Sequence, residues 1–559
     1  MSGSADLQAA VERWLREDPD GATRAELEAL RAAGDWDEVG RRFDGRLSFG
    51  TAGLRAELGA GPQRMNRLVV RQSTAGLVAH VEAERRRSGR AGRGRLVVGF
   101  DARHGSAAFA GDVAACAAAA GFDVDRLDRP LPTPVLAYAV RALGADVGVM
   151  ITASHNPGSD NGYKVYLADG AQIIPPHDVE IAAAIERAAA GPVAAADPAP
   201  PPCAPAASHD LVESYLDAVL AQCVDPAARQ VSVAYTALYG VGGDVMARAA
   251  AHAGFERWTA VASQDRSDPN FGGLRFPNPE EPGVLDELVG LARRIGADVA
   301  LANDPDADRL GVAVPSDSAA GGWRVLSGNE IGWLLADHIL THTTGADRLV
   351  VTTVVSSQLL GALAAAHGVQ HRRTLTGFKW VVRAALAHPE LRFVFGYEEA
   401  LGYAVGPAVR DKDGIGAALV FAELTASLQA ARTSVEDRLA ELGRRFGHHR
   451  TAGWSFRLDS RDGAQERLGE LTAALRRQPP ARVGTARVLE VRDLALGLDG
   501  LEPTDALEWR LDERVRVIIR PSGTEPKLKV YAEAVADDPA EGDARLAELE
   551  PAMRSLLAL

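Results

Sequence analysis

One pattern runs along most of the chain: short runs of β-branched and apolar residues alternate with longer stretches rich in Ala and Leu. Residues 96–100 and 146–152 are two such runs, and residues 109–120 are one of the stretches between them. The alternation predicts strands and helices that pack on the faces of a sheet, an α/β fold. Single cores stop growing near roughly 250–300 residues, so a chain of 559 residues should form several domains.

Three parts of the chain, the two ends and one internal segment, depart from this pattern. Residues 6–33 carry Ala, Leu, Glu and Arg at helical spacing and predict N-terminal helices. The Ala/Pro-rich segment 191–207 predicts a boundary or an exposed loop, after which the α/β alternation resumes. Residues 515–534 read as two strands joined by a polar loop, and an acidic helical tail follows.

Charge and cysteine content exclude several classes of protein. The net charge of −14 argues against a nucleic-acid partner, because such partners need a basic face that displaces counterions from phosphates. Cys116, Cys203 and Cys223 are far apart and lack CxxC spacing, which fits neither a disulfide framework nor a zinc cluster. No signal-peptide pattern and no membrane-length apolar run is present. We therefore expect a cytoplasmic protein with no membrane partner.

Ser154 lies in a segment dense in turn residues, Thr-Ala-Ser-His-Asn-Pro-Gly-Ser-Asp-Asn-Gly-Tyr-Lys at 152–164. The segment follows a strand-like run, and α/β enzymes bind ligands at such strand ends. A polar loop whose side chains satisfy backbone groups is the alternative. A serine-hydrolase elbow needs Gly-x-Ser-x-Gly, and it is a poor fit because Ala153 and His155 flank Ser154.

Three aspartates alternate in the segment Ala-Asn-Asp-Pro-Asp-Ala-Asp-Arg-Leu-Gly at 302–311. Alternate side chains of an extended loop can converge, and Asp304, Asp306 and Asp308 would offer the oxygen ligands of a hard cation. Repulsion of several kcal/mol per close pair, at an effective dielectric constant of roughly 20, favours a bound cation over a generic acidic turn. An EF-hand is excluded because Arg309 and Pro315 occupy the positions of its Gly and Glu. Mg²⁺ is the default for phosphate chemistry.

A third polar segment, Arg-Pro-Ser-Gly-Thr-Glu-Pro-Lys at 520–527, joins the two C-terminal strand-like runs. It offers a guanidinium, two hydroxyls and a Gly-permitted backbone nest, which together suit a phosphate. A well-made β-turn is the alternative. Three weaker signals are Thr-Gly-Phe-Lys-Trp at 376–380, Gly-Tyr-Glu-Glu-Ala-Leu-Gly at 396–402 and the Gly-punctuated loop at 49–55.

In this order and combination, the segments resemble those of the phosphoglucomutase/phosphomannomutase (α-D-phosphohexomutase) superfamily, and more closely its branch with phosphopentomutase-like members. The resemblance spans residues 43–535. It implies four domains around a central cleft, three related α/β sheet domains and a smaller α+β C-terminal domain. They are expected at 1–207 with the N-terminal helices and the phosphoserine, 208–315 with the metal site, 316–446 with sugar recognition and 447–559 with phosphate binding.

The resemblance also implies a role for each matched residue. Ser154 would carry the phosphate, Lys164 would be the general acid and base, and Arg55 and His155 would flank the phosphoserine. One Mg²⁺ per active site would be held by the phosphate on Ser154 and by Asp304, Asp306 and Asp308. The implied substrate-binding residues are Arg309 beside the metal loop, Lys379 and Glu398 at the sugar, and Arg520, Ser522, Gly523 and Thr524 at the phosphate that is not reacting.

The function expected from these motifs is a phosphosugar mutase. It would interconvert the 1-phosphate and 6-phosphate of glucose, mannose or both, through a phosphoserine and a bisphosphorylated intermediate, with a sugar bisphosphate as activator. The intermediate must turn end over end between two transfers, which explains a second phosphate-binding segment.

Other functions are compatible with parts of the sequence. Many hexose-specific members carry Glu-x-Ser where this chain has Glu398-Glu399-Ala400, so a phosphopentomutase acting on ribose or deoxyribose 1-/5-phosphate is the alternative. A phosphatase is less favoured, since hydrolysis needs no second phosphate-binding segment. A non-catalytic sugar-phosphate sensor is less favoured because the serine, the lysine and the aspartates are all present.

Overall fold

The computed structural model describes residues 5–319, 321–457, 464–497, 500–512, 514–521 and 527–557. The chain divides into two compact units. The first comprises the residues up to 325 together with 402–427, and the second comprises 326–401 together with the residues from 428 onward.

The first unit begins with the helices expected for residues 6–33 and continues into an α/β sheet. Its first part contains α1 (Ala5–Glu17), α2 (Gly21–Ala33), α3 (Trp36–Phe43), β1 (Leu54–Glu57), α4 (Arg67–Arg87), β2 (Arg95–Phe100), α5 (Ser106–Ala119), β3 (Asp123–Arg126), α6 (Thr133–Ala142), β4 (Val147–Ile151), β5 (Asp160–Leu167) and α7 (His177–Ala189). The strand order is β1-β5-β4-β2-β3. Strands β3, β2 and β4 are parallel, and β5 and β1 add antiparallel edges.

The second sheet of the first unit repeats this plan. Residues 191–204 contain neither helix nor strand, as predicted, whereas residues 205–207 of the predicted loop begin the next helix. The following elements are α8 (Pro205–Leu220), β6 (Ser232–Thr236), α9 (Gly242–Ala253), β7 (Arg257–Ala260), α10 (Asp286–Ile295), β8 (Val299–Asn303), β9 (Leu310–Pro315) and β10 (Trp323–Val325). Their order is β10-β9-β8-β6-β7, with β7, β6 and β8 parallel.

The second unit has a parallel and an antiparallel sheet. The parallel part contains α11 (Gly328–His342), β11 (Arg348–Thr353), α12 (Leu359–Ala366), β12 (Gln370–Thr374), α13 (Phe378–Leu386) and β13 (Arg392–Glu398), with β11 between β12 and β13. β14 (Gly402–Ala404) and most of α14 (Gly414–Ala430) belong to the first unit.

The antiparallel sheet, in the order β15-β20-β19-β18-β17-β16, follows in the second unit. Its elements are α15 (Val435–Phe446), β15 (His448–Arg457), α16 (Ala464–Arg477), β16 (Arg482–Val483), β17 (Ala486–Asp493), β18 (Leu507–Leu511), β19 (Val515–Pro521), β20 (Lys527–Ala536) and α17 (Pro539–Leu556). These sheets agree with the expected α/β fold class. No single helix in the described residues is long and apolar enough to cross a membrane, and α14 and α15 pass that test only as a bent pair.

Burial and capping explain why the elements form where they do. Strands β4, β6 and β8 are buried at every position, as expected for strands covered by helices on both faces, and this is why they read as continuous apolar runs. Asn66 caps α4 by accepting from the Val69 N–H, and Ser327 and Glu330 form a capping box at the start of α11. Such side chains satisfy backbone N–H groups that have no partner within the helix.

Candidate active site

Ser154 follows β4 in a backbone conformation that is unusual for serine. Its φ angle is 53°, in the left-handed region, and its N–H donates to Thr152 Oγ1 at 2.9 Å. Left-handed conformations at non-glycine residues persist where the surroundings impose them, and they concentrate at functional sites. The local fold thus holds this one hydroxyl at the carboxyl end of a buried strand.

The Ser154 hydroxyl points to the loop after β8. Its Oγ donates to Asp304 Oδ2 at 2.9 Å and lies 3.2 Å from His155 Nδ1. Ser154 is buried, with 2% of its surface exposed, and Asp304 is fully buried. The structure therefore brings the predicted serine into direct contact with the predicted metal loop.

Arg103 anchors the loop that carries Ser154. Its side chain is completely buried, forms an ion pair with Asp101 at 3.2 Å and lies over the ring of Phe271 at 4.8 Å. It donates to the carbonyl oxygens of Ser154 at 2.5 Å, Asn156 at 2.6 Å, Pro157 at 2.6 Å and Asp160 at 3.0 Å. A rigid guanidinium with five donors can satisfy several acceptors at once, so the Arg103 side chain fixes the loop through the backbone carbonyls of the loop.

The three predicted aspartates converge as the alternate spacing suggested. Asp304, Asp306 and Asp308 each present a carboxylate oxygen, and these atoms all lie within 4.8 Å of one another. Ala307 turns the loop with a φ of 56°, and Thr133 Oγ1 donates to Asp306 Oδ2 at 2.7 Å.

The donor set fits a hard divalent cation. Oδ1 of Asp306 and Oδ1 of Asp308 are buried and make no hydrogen bond. Buried acceptors without partners are rare in folded proteins, and oxygen atoms of this kind are the ligands that Mg²⁺ prefers.

Two lysines face the aspartates. Lys164, on β5, donates to Asp306 Oδ2 at 2.7 Å and to Asp308 Oδ2 at 3.0 Å. Lys412 Nζ lies 3.3 Å from Asp308 Oδ2 and 3.8 Å from Asp411 Oδ1. The ammonium groups thus balance part of the negative charge of the three buried carboxylates.

Burial and the charges of neighbouring groups shift the pKa values of these residues in different directions. Burial and the charges of Asp306 and Asp308 raise the pKa of Asp304 well above 3.8. Burial alone would also raise the pKa of Asp306, but the Lys164 ammonium holds it below its ordinary value. Burial alone would lower the pKa of Lys164, but Asp306 and Asp308 raise it above 10.5. The opposite shifts indicate that three ionised aspartates need more positive charge than the two lysines supply.

The remaining predicted residues of the first unit surround this centre. Arg55, on β1, donates to Asn156 Oδ1 at 3.0 Å. Arg309 Nε lies 3.9 Å from Asp308 Oδ1, and its backbone N–H donates to Asp304 Oδ1 at 3.0 Å. Burial, followed by the charges of Arg309 and Arg55, lowers the pKa of His155 well below 6.5. His155 is therefore neutral at physiological pH and can accept or donate a hydrogen bond.

Two glycines allow the close approaches that the site requires. A Cβ on Gly53 would lie 1.8 Å from the carbonyl oxygen of Tyr163, the residue before Lys164. A Cβ on Gly414 would lie 2.3 Å from the carbonyl oxygen of Arg309. The close contact with β5 thus explains why the loop at 49–55 has a glycine at position 53.

The predicted sugar and phosphate ligands lie in the second unit. Lys379 is in the first turn of α13, Glu398 ends β13 and Arg520 is near the end of β19, beside the Tyr531 hydroxyl. Ser522, Gly523 and Thr524 lie outside the described residues.

Sequence reasoning missed Arg103 and Lys412. Arg103 belongs to Asp-Ala-Arg-His directly after β2, a polar strand end like the one that singled out Ser154. Lys412 belongs to Asp-Lys-Asp-Gly directly before the apolar helix α14. Polar residues next to buried elements were the available signal in both cases.

Family comparisons cover most of the chain. Four consecutive models match, described as phosphoglucomutase/phosphomannomutase alpha/beta/alpha domain I at residues 46–191, domain II at 213–317, domain III at 327–446 and C-terminal domain at 477–550. Together with the four sheets, these matches confirm the expected four-domain α/β architecture.

Individual proteins match over nearly their whole length. A "Probable phosphomannomutase" of Haemophilus influenzae is 38% identical over 88% of this chain and 98% of that protein. A "Phosphopentomutase" of Homo sapiens is 35% identical over 99% of this chain and 96% of that protein. A solved phosphoglucomutase/phosphomannomutase family protein from Burkholderia thailandensis has the same fold, with a TM-score of 0.67 and 20% identity over 91% of this chain and 97% of that one.

Proposed function

The chain belongs to the phosphoglucomutase/phosphomannomutase family, and the relatives described above are named as mutases. We propose that it moves phosphate between two hydroxyls of one sugar through Ser154. It is accordingly an isomerase of the intramolecular phosphotransferase type. The observation that carries the proposal is the contact of the buried Ser154 hydroxyl with Asp304, at 2.9 Å, from a backbone in the left-handed region. Thr133 also donates to the three-aspartate loop, at Asp306, but it begins helix α6, whereas Ser154 lies at a strand end in the left-handed backbone region.

We propose Mg²⁺ as the cofactor, held by Asp304, Asp306, Asp308 and the phosphate on Ser154. The unsatisfied oxygens of Asp306 and Asp308 support this assignment. A phosphoserine brings a charge of about −1.5 to −2, so it and a divalent cation nearly cancel and the charge balance of the pocket is preserved. When bound, Mg²⁺ would neutralise charge on the phosphate as it is transferred.

Side chains around Ser154 supply the remaining parts of the reaction. Lys164, an ammonium beside Asp306 and Asp308, would give a proton to the oxygen that leaves and would take one from the hydroxyl that attacks, so that the protons balance in either direction. Arg55 and His155 would hold the phosphate on Ser154, and Arg309 would bind the substrate beside the metal loop. Burial of the centre would keep water from the phosphoserine.

In the second unit, we propose that Lys379 and Glu398 bind the sugar. Arg520, with Ser522, Gly523 and Thr524, would bind the phosphate that is not reacting, and a sugar bisphosphate would serve as activator. We also propose a cytoplasmic location, supported by three cysteines that form no disulfide.

For the sugar itself, two candidates follow from the observations. Glucose or mannose 1-/6-phosphate is the prediction from sequence, and the Haemophilus influenzae relative supports it. Ribose or deoxyribose 1-/5-phosphate is favoured by the Glu-Glu-Ala loop and by the human relative. In that loop Glu399 accepts from Ser356 Oγ at 3.0 Å and from Thr353 Oγ1 at 3.3 Å, while Ala400 offers no hydroxyl. Ribose has one hydroxyl fewer than a hexose and deoxyribose has two fewer, so a loop that lacks one hydroxyl contact suits these sugars, and we place the pentoses first.

The carrier assignment predicts that Ser154→Ala lowers mutase turnover by about a thousandfold or more, because no nucleophile then receives the phosphate. Active parent enzyme should carry one phosphate on the peptide that contains Ser154, measured by intact-mass and peptide mass spectrometry. Ser159→Ala is the matched control, since Ser159 is exposed in the same loop, and it should turn over normally. Normal turnover by Ser154→Ala would refute the carrier role.

The sugar assignment predicts the highest kcat/KM for ribose or deoxyribose 1-phosphate in a panel that also contains glucose, mannose and glucosamine 1-phosphates. Catalytic bisphosphate should be supplied, and product isomers should be measured together with released inorganic phosphate. A higher kcat/KM for a hexose would reverse the order of the two candidates. Release of inorganic phosphate in place of isomerisation would instead identify a phosphatase.

A further inference from the structure

A second group of metal-ligand side chains lies outside the active site, between α4 and α7 of the first unit. His80 and Glu84 are four residues apart on α4, and His177 and Glu180 are three residues apart on α7. Residues at these spacings share one helix face. Each of the four presents a ligand atom, and these atoms all lie within 4.8 Å of one another. None of them takes part in the phosphate chemistry described above.

The two helices are close enough for short side chains to meet. A Cβ on Gly76 would lie 2.5 Å from the backbone nitrogen of Ile185, so glycine permits the backbones of α4 and α7 to approach. Gly76 meets the end of α7 while His80, one turn further along α4, meets its start, so the helices run antiparallel. The ligand cluster therefore sits where two rigid elements are already held together.

The imidazoles are arranged as two ligands of one ion would be. His80 Nε2 and His177 Nδ1 are hydrogen-bonded to each other at 3.1 Å, and a bound ion would take the place of the proton between them. Two nitrogens at 2.0–2.1 Å from a tetrahedral zinc ion are separated by about 3.3 Å. On the other side of the ring, His80 Nδ1 lies 3.5 Å from Glu180 Oε2, which is the contact by which a carboxylate orients a ligand histidine.

His80 is also in the form that binds a metal. Its side chain is 4% exposed, and burial disfavours the charged imidazolium. A neutral imidazole keeps the lone pair that coordinates zinc. Next to it is a cavity of about 180 Å³ lined by His80, Glu84 and His177, which leaves room for an ion and its water.

We propose that this cluster is a zinc site in which His80 Nε2, His177 Nδ1 and a carboxylate oxygen of Glu84 bind Zn²⁺, and Glu180 orients His80. The fourth ligand position would be open to water from the cavity. The ion would join α4 to α7, on the sheet that carries Ser154, and would act as a structural clamp. Zinc is chosen because neutral imidazoles with carboxylates suit it, whereas Mg²⁺ prefers an all-oxygen set.

Arg87 competes with the ion for the same carboxylates. Its guanidinium pairs with Glu84 and lies 3.6 Å from Glu180 Oε2. The Arg87 side chain is 59% exposed, so it can turn into solvent at little cost when an ion arrives. Removing this charge should therefore strengthen zinc binding, whereas removing Glu84 should weaken it.

The test is a titration of the full-length, untagged, chelator-stripped protein with Zn²⁺ in competition with a chromophoric chelator. Saturating Mg²⁺ keeps the aspartate loop out of the measurement. The variants are His177→Ala, Glu84→Gln and Arg87→Gln, and Glu82→Gln on the same helix is the matched control. Co²⁺ gives a second readout, because its visible absorption reports nitrogen ligands in a tetrahedral site.

We expect the parent to bind one Zn²⁺ under these conditions. His177→Ala and Glu84→Gln should each weaken binding at least about tenfold and lose the Co²⁺ absorption, while Arg87→Gln binds more tightly and Glu82→Gln matches the parent. Circular dichroism of the metal-free variants checks folding, and Glu84→Gln, at a partly exposed position, keeps the test valid if His177→Ala does not fold. Absence of zinc binding by the parent, or equal affinity in the parent and both ligand variants, would overturn the proposal.

Discussion

At the residue scale, the position of the Ser154 hydroxyl depends on a side chain that takes no part in phosphate transfer. Arg103 holds four carbonyl oxygens of the loop, including that of Ser154 itself. Its ion pair with Asp101 ties the loop to the end of the neighbouring strand β2. Arg103 is thus a positioning residue, and replacing it should affect turnover more than substrate affinity.

Arg103→Lys tests this role because it keeps the charge and loses the planar fork. One ammonium cannot reach four carbonyls, so the loop should shift, and misplacement by about 1 Å can lower turnover by about a hundredfold. We expect kcat to fall by about ten- to a hundredfold with KM little changed, measured by steady-state kinetics. Arg93→Lys is the control, since the Arg93 side chain is 62% exposed and should tolerate the change. An unchanged kcat for Arg103→Lys would show that the loop is held without the guanidinium fork.

At the element scale, the sequence predicts the strands that carry the site because these strands are buried along their whole length. β4 and β8 appear as apolar runs, and the polar segments after them mark the strand ends where Ser154 and Asp304 lie. The alternate spacing of the aspartates likewise predicts their convergence, which the structure shows. The local sequence pattern is sufficient to predict these positions because each functional side chain lies in the loop that directly follows one strand.

The positions of Arg103 and Lys412 carry the same signal, but the partners of these two residues could not be predicted from it. Arg103 acts on backbone carbonyls, which every residue possesses, so no side-chain pattern reveals its partners. Lys412 is distant in sequence from Asp308, and it reaches Asp308 because residues 402–427 return to the first unit after a segment that belongs to the second. Contacts of this kind arise from tertiary packing, which the periodicity of a single segment does not encode.

At the scale of the whole molecule, stability depends on buried carboxylates that tie separate elements together. In the second unit, Glu533 on β20 is 3% exposed and has partners on three other parts of the fold. They are Arg516 at 2.9 Å, His449 at 2.7 Å, Ser357 at 2.5 Å and the backbone N–H of Gln358 at 2.9 Å. The antiparallel sheet is thereby joined to the start of α12.

The pKa of Glu533 predicts how this unit responds to acid. Burial alone would raise the pKa, but Arg516 and the other donors lower it from 4.5 to about 2. A lowered carboxylate pKa contributes stability that is fully present above 4.5 and is lost as pH falls towards 2. The shift corresponds to about 3 kcal/mol, so the second unit should become markedly easier to unfold between pH 5 and about pH 3.

Glu533→Gln separates this contribution from the general effect of acid. At pH 7 the variant leaves Arg516 without its buried partner and should lose about 3–5 kcal/mol of unfolding free energy. At about pH 3 the parent has itself lost roughly half of the interaction, so the difference between the two proteins should shrink. Urea unfolding at both pH values, followed by hydrogen exchange of peptides from β19 and β20, measures the effect in the correct unit. Glu541→Gln is the control, because the Glu541 side chain is 47% exposed and its loss should change little at either pH. A difference between parent and Glu533→Gln that stays constant with pH would mean that Glu533 acts through packing and not through its charge.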